Sequence, residues 1–192
     1  DQKLNLGGEE RDVTVLFSDI RGFTAMSEKM KPKEVVSTLN SYFSEMIDII
    51  FKFDGTLDKI VGDELMVVFG APISRDDDAE RAVQTAIGMV ESLKKFNDKR
   101  VKKGKVPINA GIGINKGKVI SGNIGSKDQM DYTVIGDTVN LGARLCSFAG
   151  PLKIIVSKSV KDEIGDNYKT RKLEPIKVKG KRKPVEIFKV LT

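Results

Sequence analysis

The feature that most constrains this chain is a pair of short apolar runs, residues 56–61 and 65–70, that meet at Gly62-Asp63 between two long segments of helical periodicity. A Gly-Asp pair between apolar runs is a tight-hairpin signal. Ahead of it, Pro32 opens a segment in which Val35, Val36, Leu39, Tyr42, Phe43, Met46, Ile47 and Ile50 recur at the spacing of one helix face. Behind it, Asp76-Asp77-Asp78 places acids where a helix dipole favours them. Ala79, Ala82, Val83, Ala86, Ile87, Val90 and Leu93 then form the apolar stripe of that helix. A β-branched run at 11–19 precedes all of this and reads as a buried strand, and residues 107–121 read as another. The order is βαββαβ, the ferredoxin-like pattern of an antiparallel sheet with helices on one face.

The rest of the chain extends that core. Gly22 opens a short helix to about Met30. A hairpin closes near Ser126–Gln129, a strand follows at about 130–135, and Gly136 begins a helix running through Phe148. The tail reads as strand, short helix, strand, turn and strand, ending near Val190. The predicted fold class is α+β, a ferredoxin-like βαββαβ core with a C-terminal α/β extension. The 192 residues form a single domain with its core at about 9–190. A start at Asp1-Gln2-Lys3, without Met, suggests a fragment of a longer protein.

Composition narrows the chemistry. Histidine is absent, which excludes Ser-His-Asp triads and the usual zinc sites. One cysteine, Cys146, permits no intramolecular disulfide and fits a reducing, cytoplasmic compartment. No apolar run approaches the roughly 20 residues of a membrane-spanning helix. The net charge of +6 is local, because residues 169–189 alone carry nine Lys/Arg against two acids. Without Trp, with three Tyr and with no aromatic-basic cluster, a nucleic-acid surface is not expected. If the chain is an enzyme, its chemistry must come from carboxylates, Lys, Arg and metals.

Those residues fall at defined places. Asp19 ends the first strand and Asp63 sits at the hairpin tip, so βαββαβ topology lets the two converge. A pair of Asp beside a phosphate substrate suits magnesium-like ions, although Asp at a strand end is also a common turn former. Gly22, Phe23 and Thr24 lead into a helix N-terminus, whose free N–H groups suit phosphate. Lys59 alternates with Leu57 and Val61, on a face that is otherwise apolar. Asn140 and Arg144 share one face of their helix, with Leu141, Leu145 and Phe148 on the buried one. A permanently charged Arg suits the charge that builds on a transferring phosphoryl group. Lys179-Gly180-Lys181 forms a basic turn between the last strands. Gly113 to Lys118 superficially resembles a phosphate-binding loop but has one residue too few.

Taken together, four stretches resemble the class III adenylyl and guanylyl cyclases: Val15 to Thr24, Lys59 to Glu64, Tyr132 to Arg144 and Val178 to Lys181. The resemblance is closest to bacterial adenylyl cyclases with a Lys/Thr purine-reading pair. It implies Asp19 and Asp63 as metal ligands, assisted by the carbonyl of Ile20, for two divalent ions (Mg²⁺ or Mn²⁺) per site. It implies that Lys59 and Thr133 read the purine, Asn140 orients the ribose, Arg144 stabilises the pentavalent phosphorus, and Lys179 holds the terminal phosphates with the Gly22-Phe23-Thr24 loop. It further implies a homodimer with active sites at the interface, ATP as substrate, and an upstream regulatory domain in cis.

Lysine can only donate, which suits adenine N1, and a threonine hydroxyl can accept from the 6-amino group. The expected reaction is therefore ATP to cyclic AMP and pyrophosphate. Guanylyl cyclase and a catalytically silent dimerisation module remain the alternatives, and a response to bicarbonate is a further hypothesis from the resemblance.

Overall fold

A computed structural model describes residues 7–192; residues 1–6 of the expected domain lie outside the described residues. The element order is β1 (Glu9–Ile20), α1 (Phe23–Glu28), α2 (Pro32–Lys52), β2 (Thr56–Val61), β3 (Glu64–Phe69), α3 (Asp78–Lys102), β4 (Ala110–Gly125), β5 (Met130–Ile135), α4 (Asp137–Phe148), β6 (Ile154–Ser157), α5 (Lys158–Ile164), β7 (Thr170–Lys172) and β8 (Ile187–Val190). This is the expected order. The strands form one sheet, β2-β3-β1-β4-β6-β8-β7, with β5 paired to the far half of β4. β1 is antiparallel to both β3 and β4, as the ferredoxin-like core requires. The extension adds one parallel pair, β4 with β6.

The sheet is covered on both faces, not on one as the core pattern predicts. On the first face, Tyr42, Met46 and Ile50 of α2 and Ala82, Ala86, Met89 and Leu93 of α3 bury Leu16, Leu65, Val67, Ile112 and Ile114. Tyr42 is fully buried there, and its hydroxyl meets Ser18 Oγ at 3.2 Å, so the polar tip of the ring is satisfied. On the second face, Val13, Val15, Phe17, Met66 and Val68 pack with Val119 and with Val134 of β5, and Val139, Ala143 and Cys146 of α4 join them. The β4–β5 arm therefore folds back over this face. α4 comes close enough that a Cβ on Gly113 of β4 would sit 2.2 Å from the Cys146 nitrogen. Packing the helix directly on the strand backbone leaves no room for a side chain there.

Two apolar positions differ from expectation. Val36 is 59% exposed and Phe148 51% exposed, so each lies off the buried face of its helix. Helical spacing alone does not resolve the edges of an apolar stripe.

Candidate active site

The sequence places two acids at adjoining ends of paired strands. Asp19 is the penultimate residue of β1. Asp63 is the second residue of the two-residue turn between β2 and β3, where Val61 pairs with Glu64 and Gly62 takes φ 62°. A positive φ at the first central position is what a Gly-first hairpin turn requires. The turn is fastened to β1, because Ile20 N donates to Asp63 Oδ2 at 3.1 Å. Asp19 is thereby held against Asp63, and its carboxyl rises from the ordinary 3.8 to about 7. Burial is the main cause, followed by a hydrogen bond to Asp63 and the Asp63 charge; Arg21 opposes the shift. Glu64 is also raised, by burial and then by Asp63. Two carboxylates pressed together in a half-buried corner favour the proton that keeps them apart electrostatically.

Arg21 fixes the loop after β1. Its guanidinium donates to the Cys146 carbonyl at 2.6 Å and the Ser147 carbonyl at 3.4 Å, and its backbone N donates to the Asn109 carbonyl at 2.7 Å. The two side-chain contacts cap the last turn of α4, where a cation complements the helix dipole. Cys146 is no nucleophile here, since burial pushes its thiol up to about 12. Gly22, at φ 69°, is the N-cap of α1 and offers no side-chain cap. The N–H groups of the first turn, including those of Phe23 and Thr24, therefore have no intrahelical acceptor.

A second cluster forms where the β4–β5 arm reaches β2. Thr133, 8% exposed, donates to Asp58, with its Oγ1 2.9 and 2.8 Å from the two carboxylate oxygens. Lys59 Nζ lies 3.6 Å from Asp58 Oδ1. Lys59 and Thr133 are thus brought together around one carboxylate. The expected sharing of one face holds for Lys59 and Val61, which pair with Met66 and Glu64, but not for Leu57, because the β2 register shifts between Leu57 and Lys59. Lys59 is half exposed, and so is Val61.

Asn140 and Arg144 stand exposed on α4, one turn apart. Leu141 and Leu145 of the same helix are buried, as expected. Among the described residues, the Asn140 and Arg144 side chains have no hydrogen-bond or ion-pair partner. Lys179 is exposed in the last turn, beside Gly180 at φ 89°. That turn is tied to the first turn of α4 by Lys181, whose Nζ meets Asp137 Oδ2 at 2.7 Å. The chain therefore gathers Asp19 with Asp63 and Lys59 with Thr133. Among the described residues, no hydrogen bond or ion pair joins either group to Asn140, Arg144 or Lys179. Asp58, Arg21 and Glu64 are the residues that sequence reasoning missed. Of these, only Glu64 carried a signal, as the acid next to Asp63 at the hairpin tip.

A family model described as the adenylate and guanylate cyclase catalytic domain matches residues 8–191. The chain belongs to this class III cyclase family. The cyclase domain is 36% identical over 189 residues to an adenylate cyclase of Anabaena cylindrica, covering 94% of this chain and 37% of that protein. It is 32% identical to adenylate cyclase 1 of Rhizobium meliloti, covering 94% of this chain and 28% of the relative. The domain thus spans roughly a third of the length of these curated relatives. Among solved structures it resembles the adenylyl cyclase CyaB from P. aeruginosa, with TM-score 0.93, 38% identity and 97% of each chain covered. It also resembles the guanylyl cyclase Cya2, with TM-score 0.88 and 42% identity, covering 96% of this chain and 93% of the other. Cyclase domains named for either purine are therefore similar to it. Among the described residues, no helix of this cyclase domain is long and apolar enough to cross a membrane.

Proposed function

We propose that the domain is an adenylyl cyclase, converting ATP to 3′,5′-cyclic AMP and pyrophosphate at sites shared between two copies of the chain. The observation that carries this reading is the meeting of Lys59 and Thr133 around Asp58. A lysine that can only donate stands beside a hydroxyl that can accept, which matches N1 and the 6-amino group of adenine.

Asp19 and Asp63 fit divalent cations. The Asp19 carboxyl is raised by burial first and then by Asp63 beside it, and a dication bound there would offset both costs of holding the pair ionised. Among the described residues, no three His, Cys, Asp or Glu side chains are grouped to hold a metal by themselves. Two carboxylates, the Ile20 carbonyl and the phosphates of the substrate make the open set that magnesium accepts. Two such ions, when bound, supply positive charge at the attacking oxygen and along the phosphates.

The chain's own groups do the rest by positioning. The ribose 3′-oxygen loses its proton and bonds to the α-phosphorus as the bond to the pyrophosphate oxygen breaks. Arg144 faces the charge that develops on the phosphorus, Asn140 holds the ribose, and Lys179 with the N–H groups at Gly22, Phe23 and Thr24 holds the departing phosphates. Among the described residues, the Asn140 and Arg144 side chains have no hydrogen-bond or ion-pair partner, which supports a site completed by a second copy. Exposed Ile120 and Ile135, paired across the β4–β5 arm, and exposed Tyr132 on the same arm give that copy an apolar surface to cover.

The resemblance to Cya2, a guanylyl cyclase, favours a second reading in which the same fold takes GTP. Product formation from ATP and from GTP, with magnesium and with manganese and across protein concentration, tests both. Cyclic AMP with specific activity rising with concentration is expected. Cyclic GMP as the main product overturns the purine reading, and concentration-independent activity of a proven monomer overturns the shared site.

A further inference from the structure

Asp58 reaches the purine-reading pair through a defect in its strand. It lies on β2, the outermost strand of the sheet, yet its side chain is only 6% exposed. β2 pairs Leu57 with Val67 and then Lys59 with Met66, so Asp58 is the extra residue of a β-bulge. A bulge breaks the alternation of a strand and re-aims its side chains. Here it brings Asp58 and Lys59, neighbours that would otherwise point to opposite faces, within 3.6 Å of each other. On its other side Asp58 receives Thr133, across 75 residues of sequence.

A carboxylate only accepts hydrogen bonds, and a hydroxyl has one proton to give. Both carboxylate oxygens lie within 2.9 Å of Thr133 Oγ1, so that proton is committed to Asp58. What Thr133 has left is its lone pairs. A free threonine hydroxyl turns to suit either purine, accepting from a 6-amino group or donating to a 6-oxo group. This one cannot turn.

We propose that Asp58 is a positioning residue that sets the purine preference, by fixing Thr133 as an acceptor beside Lys59 as a donor. Adenine offers a donor at its 6-amino group and an acceptor at N1, and both contacts form. Guanine offers an acceptor at O6 and a donor at N1, so lone pair meets lone pair and proton meets proton. A site built to complement polar groups rejects the analogue that leaves them opposed. The inference rests on the adenylyl reading of the same site.

Asp58→Asn is the test, because the amide keeps the shape but can donate to Thr133 and release its proton toward the purine. kcat and KM for ATP and GTP are measured in the parent, Asp58→Asn, Thr133→Val and the double variant, with a thermal melt for each. In Asp58→Asn, the ATP:GTP ratio of kcat/KM is expected to fall about tenfold or more, with GTP use rising. Thr133→Val is expected to lose ATP efficiency without gaining GTP, and adding Asp58→Asn to it should move the ratio by less than about twofold. Asp58→Ala, which removes the acceptor altogether, is the second variant and should lower the ratio in the same direction. A folded Asp58 variant with the parent's ratio overturns the proposal, as does an equal fall when Thr133 is already Val. If the parent itself prefers GTP, the adenylyl reading fails and this inference fails with it. A parent that prefers ATP, with a ratio indifferent to Asp58, sinks the inference alone.

Discussion

At the tip of the β2–β3 hairpin, like charges crowd. Asp19 and Asp63 share one corner with Glu64 beside them, and the Asp19 carboxyl sits at about 7. A few residues earlier, on the outer strand of the same hairpin, opposite and complementary groups are already paired: Lys59 to Asp58, and Thr133 to Asp58. The first region is electrostatically unsatisfied in the free chain, and the second is complete. On the proposed adenylyl reading, the difference separates two tasks. Base reading needs fixed donors and acceptors, which a single chain preorganises with its own hydrogen bonds. In the proposed function, phosphate chemistry needs positive charge that the corner lacks, and divalent ions bound there would supply it.

Removing an acid should break this contrast most strongly. Asp63→Ala is expected to lower kcat about a thousandfold, while sedimentation shows the parent's association state. Chelation of divalent ions should silence the parent to a similar degree and reverse on adding magnesium. Substantial turnover in either case would mean that the corner does not serve the phosphates.

The exposed α4 face sharpens the comparison next. Asp63→Ala and Arg144→Ala should each be inactive alone. Mixed in equal amounts with free subunit exchange, half the dimers are mixed and each holds one intact site, so activity should recover to about a quarter of the parent's. No recovery, with exchange demonstrated, would place all the groups in one chain.

The corner's strain should also be visible without turnover. A carboxyl raised in the folded state stabilises the fold at low pH, and that contribution is lost as pH climbs from about 4 through about 7. Asp19→Asn removes the loss. In metal-free protein at pH 8 it should raise the melting temperature by about 2–4 °C, the half-buried position limiting the gain, and near pH 4 it should change little. An Asn variant less stable than the parent at pH 8 would show that the folded corner does not raise the Asp19 carboxyl.

The smallest effect lies directly beneath the corner. Tyr42→Phe removes the hydroxyl that meets Ser18 Oγ and is expected to cost about 1 kcal/mol in chemical denaturation, with kcat unchanged. A large loss of turnover would give the ring a part in the chemistry.

Much of this was legible in the chain. The Gly62-Asp63 turn, the stripe from Ala79 to Leu93 and the run at 11–19 carry local signals, because hairpin chemistry and helical periodicity act over a few residues. The convergence of Asp19 and Asp63 followed from topology alone. The bulge at Asp58 was hidden, since one extra residue leaves the composition of a strand unchanged while reversing the face of the side chains beyond it. Arg21 was hidden for another reason: its partners, the carbonyls of Cys146 and Ser147, are backbone atoms that no side-chain pattern marks. The exposure of Val36 and Phe148 depended on where each helix meets the sheet.

The sequence by itself determined the order of elements, the βαββαβ core and the inventory of reactive groups, because each rests on short-range pattern. Tertiary structure alone decided that α4 and the β4–β5 arm cover the second face of the sheet, and that Asp58 takes the proton of Thr133. Both depend on contacts between residues far apart in the chain, where backbone approach, not residue type, sets which groups meet.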